Sequence, residues 1–399
     1  MKGLWSRVCP KVPALIGGAA LCWSGGALGA PRVLFAARGE SANSTYELYT
    51  MNADGTNRRR LTTNTVSEWA PALGVDNYRV AYVRDDLARS NLFITSIDGM
   101  TPRQVGNTNP ALCVQWADNQ TLFYLSRTQP DASSKSTFRL WRIGAEGSGE
   151  ALVFTNIFSD WSMGARAFSV RRETGAVYLS ADVPGGSYES MIRFGSYSNL
   201  SPTGVVSTST AYLDHYAPAV SPDGTQVAFC VDPQGSGGQH RLYVTSVGGG
   251  AGSRLCDVYC GNPSWAPDGA WLAFTRASSS TYGAAAYVGD IWRVSVRGTN
   301  LCALTTNTPV AAKCAFPTVF EPPIITMAPP QVTANGVVIS WSGGGSLRHT
   351  LQVATNGLGE LWLDYPGATD LPATGQTLTV TDAVSQPWPR FYRVVARPE

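Results

Sequence analysis

The sequence predicts an all-β protein, built for most of its length from one repeated unit. The first observation is a near-repetition, because SPDGTQVAFC at 221–230 returns as APDGAWLAFT at 266–275. The second is a composition of 41 Gly and 25 Pro with only 15% charged residues, which is typical of a chain with many tight turns. The third is the apolar–polar alternation after each Pro-Asp-Gly, which indicates a strand with one buried face.

Each copy of the phrase predicts a strand, a tight turn and a second strand. Pro presets φ at the second turn position, Asp hydrogen-bonds its own backbone, and Gly accepts the positive φ that closes the turn. Weaker copies stand at EWAPALGVDNYRVAYV (68–83), CVQWADNQTLFYLS (113–126) and RAFSVRRETGAVYLS (166–180). A repeat of this period indicates a repeat architecture.

A second hairpin follows the first in each unit. Its copies are ELYTMNADGTNRRRLT (47–62), NLFITSIDGMTPRQV (91–105), RLYVTSVGGGAGSRLC (241–256) and DIWRVSVRGTNLCALT (290–305). Four-stranded units repeated around an axis make a β-propeller. The segment 31–64 lacks an inner strand, while 314–320 is an inner strand without a unit, so together they complete one blade. We therefore predict a six-bladed β-propeller over residues 30–320.

The repeat resembles the PD40, or WD40-like, propeller repeat. The resemblance lies in the SPDG…AF strand followed by LYxxxxxGxxxxxLT, and 30–320 as a whole is similar to the propeller of TolB-like proteins. It implies a periplasmic protein that binds partners such as an envelope lipoprotein. TolB-like proteins carry an α/β domain before the propeller, and we expect none between the N-terminal segment and the propeller here.

The N-terminal residues have the layout of a secretory signal peptide. Lys2, Arg7 and Lys11 precede the apolar stretch VPALIGGAALCW (12–23) and the small residues SGGALGA (24–30), which predicts a signal peptide over 1–29. The apolar stretch is too short for a membrane span. We expect a periplasmic or secreted protein without a membrane span.

The C-terminal composition changes at about residue 321. EPPIITMAPPQ (321–331) is predicted to be a Pro-rich linker. Residues 332–399 contain short alternating strands, GVVISW (336–341), HTLQVA (349–354), QTLTVT (376–381) and RFYRVVA (390–396). These predict a small β-sandwich of the fibronectin-III kind.

One rim of the predicted propeller carries long, varied loops, such as RTQPDASSKST (127–137) and RASSSTYGAAAYVGD (276–290). Functional loops usually vary on a rigid scaffold, so we predict that this loop rim is the binding face. The inner strands begin at the same rim, at the mouth of the central channel. The candidate binding residues there are Glu68, Asp160, Trp161, Asp214, His215, Tyr216, Tyr259, Asn262 and Lys313.

Aromatic groups beside a few charges suit recognition of a peptide or a sugar. For Trp69 and Trp265 the simpler interpretation is packing between blades. For Trp161 both interpretations, packing and ligand binding, remain open. The net charge of +2 argues against a nucleic-acid partner.

An exported, non-enzymatic binding scaffold is the predicted function, with an envelope protein, lipoprotein or glycan as partner and a monomeric state. The sequence has no GxSxG elbow and no HExxH motif, so we predict no catalytic residue, metal or cofactor. His215, one of three histidines, is interpreted as a hydrogen-bonding residue. The alternative is a propeller enzyme acting on polysaccharide, a glycoside hydrolase or a lyase, with Glu68, Asp160 and Asp214 converging from different blades.

The cysteines predict disulfides, because export makes them stable. Of eight cysteines, six remain after the predicted signal. Cys256 and Cys260 bracket one join between blades, and Cys302 and Cys314 bracket the next. We predict these two pairs as bridges, and Cys113 and Cys230 as buried thiols.

Overall fold

A computed structural model gives the architecture of the chain. All regular structure in the described ranges is β-strand. The chain divides into two compact units, a large one spanning Pro31–Val75 and Arg79–Glu321 and a smaller one containing Pro322–Glu399. The residues described are 31–38, 45–86, 89–97, 99, 102–127, 136–158, 168–171, 174–182, 190–196, 199–207, 213–233, 241–250, 252–277, 289–305, 314–322, 325–328, 330–343, 347–354, 362–372, 377–383 and 391–398. The predicted signal peptide, 1–29, lies outside them.

The large unit consists of four four-stranded antiparallel sheets and one eight-stranded sheet that comprises two blades. In chain order the strands are β1 (Arg32–Arg38), β2 (Tyr46–Asn52), β3 (Arg59–Arg60), β4 (Glu68–Leu73), β5 (Arg79–Asp86), β6 (Arg89–Ser96), β7 (Arg103–Gln104), β8 (Cys113–Trp116), β9 (Thr121–Arg127), β10 (Ser136–Gly144), β11 (Ala151–Phe158), β12 (Phe168–Arg171), β13 (Ala176–Asp182), β14 (Ser190–Ser196), β15 (Asn199–Val205), β16 (Leu213–Val220), β17 (Gln226–Pro233), β18 (Arg241–Ser246), β19 (Ser253–Asp257), β20 (Cys260–Trp265), β21 (Trp271–Ala277), β22 (Gly289–Ser295), β23 (Cys302–Ala303) and β24 (Cys314–Phe320).

The two ends of this unit meet in one blade. Strand β24 pairs antiparallel with β1, with Ala37 opposite Cys314 and Arg32 opposite Phe320. Blade 1 is therefore β24-β1-β2-β3, and blades 2 to 6 begin at β4, β8, β12, β16 and β20. These inner strands contact one another in sequence, and β24 contacts both β20 and β4. The ring is closed, and the predicted six-bladed β-propeller is confirmed.

The Pro-Asp-Gly turns have the geometry that their residues predict. Gly224 and Gly269 take positive φ values of 66° and 68°. Each glycine N–H donates to a carbonyl three residues earlier, that of Ser221 or of Ala266. The side chain of Asp223 accepts from the backbone two residues later. The repeated phrase therefore closes the inner hairpin of a blade.

In blades 1 and 6, the Thr at the end of the second repeated motif binds the backbone of the third strand of the same blade. The Leu48 N–H donates to Thr62 Oγ1 at 3.0 Å, and the Ile291 N–H donates to Thr305 Oγ1 at 2.9 Å. In blade 2 an asparagine makes the equivalent hydrogen bond, since Asn107 Oδ1 accepts from the Leu92 N–H at 2.8 Å. A short polar side chain at this position satisfies a buried backbone donor.

Two tryptophans join neighbouring blades. Trp265 Nε1 donates to the Ala219 carbonyl of the preceding blade at 2.8 Å, and Trp116 Nε1 donates to the Ala72 carbonyl at 3.1 Å. Trp69 does not share this column, because it lies two residues before its blade's proline, Pro71, whereas Trp265 lies two residues after Pro263.

The smaller unit contains two four-stranded sheets that share one core. Its strands are β25 (Ile325–Met327), β26 (Gln331–Thr333), β27 (Gly336–Gly343), β28 (Leu347–Ala354), β29 (Leu363–Asp364), β30 (Leu371–Pro372), β31 (Leu378–Asp382) and β32 (Phe391–Pro398). Trp341 fills the core and donates to His349 Nδ1 at 3.0 Å. Strand β25 pairs with β27, so part of the predicted linker belongs to this unit.

The cysteines differ from the prediction. All six described cysteines are thiols, so neither predicted bridge is formed. Cys302 lies opposite Arg293 on β22, and Cys314 lies opposite Gly289. Gly289 and Arg293 lie four residues apart on β22, which is about 13 Å along a strand. Cys302 and Cys314 are therefore separated by more than the roughly 7 Å between Cα atoms that a disulfide tolerates. Cys260 places its sulfur against that of Cys230 instead of bonding to Cys256.

Candidate functional site

The inner strands begin at the rim that carries the joins between blades. Cross-strand register defines a row of residues at this edge of each blade, which we call the rim row. Its members are Cys314, Ala37 and Glu47 in blade 1, Glu68, Arg84 and Asn91 in blade 2, His215, Val231 and Arg241 in blade 5, and Cys260, Arg276 and Asp290 in blade 6. Both signs of charge therefore occur along one rim.

Two buried carboxylates lie where blade 1 meets blade 2. Glu47 is 3% exposed and Glu68 is 1% exposed. Glu47 Oε1 forms a salt bridge with Arg60 Nη2 at 2.7 Å. Glu68 Oε1 accepts a hydrogen bond from Asn64 Nδ2 at 2.8 Å. The second oxygen of each carboxylate, Oε2, is buried and has no hydrogen-bond partner among the described residues. The pair thus retains two unused acceptor atoms.

The surroundings of Glu68 favour its protonated form. Burial raises the pKa of the Glu68 carboxyl, and the nearby Glu47 carboxylate adds to the rise. Hydrogen bonds from Thr62 and Asn64 and the charge of Arg84 act in the opposite direction without cancelling it. A buried carboxyl held near a like charge is a common feature of functional sites.

His215 is a packed histidine. It is 6% exposed, its Nδ1 lies 2.7 Å from Ser207 Oγ, and its ring packs against Phe229 at 5.2 Å between centroids. Burial lowers the pKa of His215 to about 4, so the imidazole is neutral at pH 7. Among the described residues the His215 ring is therefore buried and hydrogen-bonded, and a role in binding stays a prediction.

Tyr216 holds blade 5 to blade 6. Its side chain is buried, and its hydroxyl donates to the Cys260 carbonyl at 3.0 Å. From the preceding blade, Ser180 Oγ of β13 donates to the His215 carbonyl at 2.8 Å. The His215 carbonyl and the Tyr216 hydroxyl thus take part in contacts between blades.

Asn262 is a fully buried polar side chain at this rim. It is 0% exposed, and neither Oδ1 nor Nδ2 has a hydrogen-bond partner among the described residues. An unpaired buried polar group costs roughly 1–3 kcal/mol. A bound water or ligand group is the usual reason that such a group is kept.

The position of Asn262 is set by a bulge that four inner strands share. The residue before the inner-strand proline has a positive φ in each of them, at Ala70, Ala217, Asn262 and Phe316. The pairing register shifts at the same point in all four. A bulge adds an unpaired residue and re-aims the local backbone, here at the edge of the strand that faces the ring axis.

The remaining predicted residues are only partly described. Asp160, Trp161 and Lys313 lie outside the described residues. Asp214 belongs to β16, where it pairs with Asp232, but its side chain is not described. Tyr259 is half-buried in the join between β19 and β20. The predicted convergence of Glu68, Asp160 and Asp214 thus stays a prediction.

Sequence reasoning missed five charged members of the rim row, which are Glu47, Arg84, Arg241, Arg276 and Asp290. Arg84 and Arg276 stack on aromatic rings of the same blade, at 4.6 Å from Phe93 and 4.2 Å from Trp292. The sequence could have indicated Arg84 and Arg276, because each directly follows the alternating residues of a predicted strand, at its rim end. Within the described ranges no cluster of three or more acidic, His or Cys side chains is arranged to hold a metal ion. The rim row is suited to hydrogen bonds and ion pairs with a polar ligand.

No protein-family model matches the chain, and no curated protein matches it. Among solved structures, TolB from Acinetobacter baumannii aligns at a TM-score of 0.57 with 13% identity, covering 72% of this chain and 66% of that chain. The alignment thus spans just under two thirds of that TolB chain. A chain of a nidogen/laminin complex aligns at a TM-score of 0.51 with 11% identity, over 72% of this chain and 98% of that one.

An oligogalacturonate lyase from Vibrio parahaemolyticus aligns at a TM-score of 0.45 with 12% identity, over 77% of this chain and 87% of that chain. In the described part of the chain, no helix is long and apolar enough to cross a membrane. The closed ring, the repeat and the likeness to solved propellers agree, and the chain has the fold of a TolB-like β-propeller.

Proposed function

We propose that this protein is an exported, non-enzymatic scaffold that binds a peptide, protein or glycan of the cell envelope through its loop rim. The observation that carries the proposal is the set of buried polar atoms without partners in the described part of that rim. Glu47, Glu68 and Asn262 all contribute such atoms. A ligand that donates to the carboxylates and pairs with the amide would remove the cost of leaving them unpaired.

Charge and aromatic groups at the same edge support a polar ligand. Arg84 and Arg276 are held over aromatic faces, which orders their guanidinium groups before a ligand arrives. Asp290 accepts from Thr305 Oγ1 at 2.9 Å, so its carboxylate is also fixed. Groups that are ordered in advance lose less conformational entropy on binding.

The packing of His215 favours binding over cleavage. The neutral, packed His215 offers no accessible general base. The polysaccharide-cleaving alternative then depends on Asp160 and Asp214.

A capture experiment tests the proposal. Immobilised full-length protein is incubated with solubilised bacterial envelope extract, and bound proteins and glycans are identified by mass spectrometry. Glu68→Gln and Arg276→Gln alter the loop rim, while Asp268→Asn alters a Pro-Asp-Gly turn on the opposite rim and serves as the matched control. We expect each loop-rim variant to lower retention of a specific ligand at least tenfold, and the control to retain it.

Two results would contradict the proposal. Equal retention by all variants would place the binding site away from the loop rim. New reducing ends or unsaturated sugars in the glycan fraction, absent with Asp214→Asn, would instead favour the enzyme.

A further inference from the structure

Three cysteines lie in one apolar cluster between blades 5 and 6. Cys230, Cys256 and Cys260 pack there with Tyr216 and Trp265. The Sγ atoms of Cys230 and Cys260 are 3.4 Å apart, and both residues are 0% exposed. Cys230 belongs to β17, the second strand of blade 5, and Cys260 opens β20, the inner strand of blade 6.

We propose that Cys230 and Cys260 form a disulfide bond between these two blades when the chain folds in an oxidising compartment. A disulfide requires sulfurs at about 2.05 Å, so the two atoms must approach by about 1.4 Å. Tyr216 holds the two strands in place for this step. It pairs with Cys230 across β16 and β17, and its hydroxyl binds the Cys260 carbonyl.

The chemistry is thiol–disulfide exchange with an external disulfide. One cysteine thiolate attacks the disulfide RS–SR and releases RS⁻, which leaves a mixed disulfide on the protein. The second thiolate then attacks the protein sulfur of that mixed disulfide and releases the second RS⁻. The two cysteine protons end on the two RSH products, so the protein loses two electrons and the external disulfide gains them.

Burial sets when this oxidation takes place. With both thiols inaccessible in the closed ring, the oxidant reaches them before blades 5 and 6 dock. The N-terminal pattern predicts export, and exported chains fold where disulfides form and persist. The bridge would then fasten two blades next to the rim row, in which Cys260 itself lies.

Cys256 is the competing partner, and its environment disfavours it. Burial raises the pKa of the Cys256 thiol to about 12, and the nearby Cys260 contributes to this rise to a lesser extent. A thiol is a nucleophile only as the thiolate, so at neutral pH Cys256 rarely displaces Cys230 from a formed bridge. Geometry points the same way, since the sulfur in contact with Cys260 is that of Cys230.

The experiment maps the bonds directly. Full-length protein is reduced and unfolded, then refolded with a mixture of oxidised and reduced glutathione, and the remaining thiols are alkylated. Trypsin cuts after Arg193, Arg241 and Arg254, which isolates Cys230 but leaves Cys256 and Cys260 in one peptide. Asp-N then cuts before Asp257 and separates those two. We expect a peptide pair joined through Cys230 and Cys260, with Cys256 alkylated.

Thermal unfolding provides a second, independent readout. Reduction of the refolded protein should lower its Tm by several degrees, on the order of 5–10 °C, because a loop of about 30 residues is released. Cys230→Ala and Cys260→Ala should abolish this dependence on reductant, while Cys113→Ala, at another buried thiol, should retain it. If refolding fails, full-length protein that has been exported to an oxidising compartment during expression and purified without reductant is mapped in the same way. A Cys256–Cys260 linkage, or an alkylated Cys230 in oxidised protein, would overturn the proposal.

Discussion

The hydroxyl of Tyr216 donates a hydrogen bond of 3.0 Å to the main-chain carbonyl of Cys260. The two residues lie on the inner strands of neighbouring blades, near the rim where ligand contacts are proposed. A side chain of one blade thus satisfies a buried backbone group of the next. The rim row is therefore part of the ring's structure as well as its candidate binding edge.

Removing this hydroxyl should loosen blade 5 from blade 6. Tyr216→Phe keeps the ring in place and leaves the Cys260 carbonyl without its donor, which should cost about 1–2 kcal/mol. Urea unfolding of the full-length protein measures the loss. Tyr243→Phe, at a half-buried ring that stacks on Phe229, is the matched control and should change stability by less than about 0.5 kcal/mol. Equal effects of the two variants would contradict the assigned role of the hydroxyl.

His215 should make the propeller sensitive to mild acid. Its pKa is lowered from 6.5 to about 4 by burial, so between these values the unfolded chain binds a proton that the folded chain does not. Stability is therefore complete above pH 6.5 and falls as pH falls toward 4, by roughly 2–3 kcal/mol in all. Urea unfolding at pH 7.0 and pH 4.5 measures the change.

The variant His215→Gln tests this assignment, because glutamine has no proton to gain. We expect the difference in propeller stability between pH 7.0 and pH 4.5 to shrink by most of that amount. His349→Gln is the matched control, since His349 is also buried with a lowered pKa but belongs to the smaller unit. An unchanged difference in His215→Gln would assign the acid sensitivity to other groups.

The repeat made the architecture predictable from the sequence. Pro-Asp-Gly fixes local backbone angles, so the hairpins at Gly224 and Gly269 follow from short-range sterics alone. The pairing of β24 with β1 was also predictable from the sequence. The last repeat fragment is an inner strand alone, and the first unit lacks an inner strand, so the two together complete one blade. Local rules sufficed here, since each blade is a local structure.

The candidate site depends on contacts between blades, and these are distant in sequence. Cys230 and Cys260 are 30 residues apart, and nothing in their spacing predicts contact, whereas the short spacing of Cys256 and Cys260 suggested a bond. Glu47 was missed because a charged residue in an alternating strand is normally exposed, whereas Glu47 is buried and paired with Arg60. The bulge at Asn262 likewise depends on a positive φ that the residue type does not require.

Neutralising Glu68 should stabilise the propeller. Its pKa is raised in the folded protein, chiefly by burial, so the ionised form at neutral pH opposes folding. Stability linked to this carboxyl is fully present below its unfolded pKa and is lost as pH rises through the folded value. Glu68→Gln should therefore raise Tm at pH 7, with an advantage that disappears near pH 4. A lower Tm at pH 7 in Glu68→Gln would show that the charge is compensated in the folded state.

A glycine pair in one hairpin separates backbone conformation from contact between blades. Gly147 and Gly149 both take positive φ, 85° and 68°. A Cβ at Gly147 would lie 2.0 Å from the Val105 carbonyl oxygen of blade 2, whereas a Cβ at Gly149 would meet nothing within 4 Å.

Gly149→Ala should cost only the left-handed backbone penalty, about 1–2 kcal/mol. Gly147→Ala adds a clash with the neighbouring blade's backbone, so it should cost more than about 3 kcal/mol. Differential scanning calorimetry of the two variants compares them directly. Similar costs would mean that the hairpin moves away from blade 2 easily, and that the glycine of the repeat is required for its backbone angles rather than for the close packing of blades.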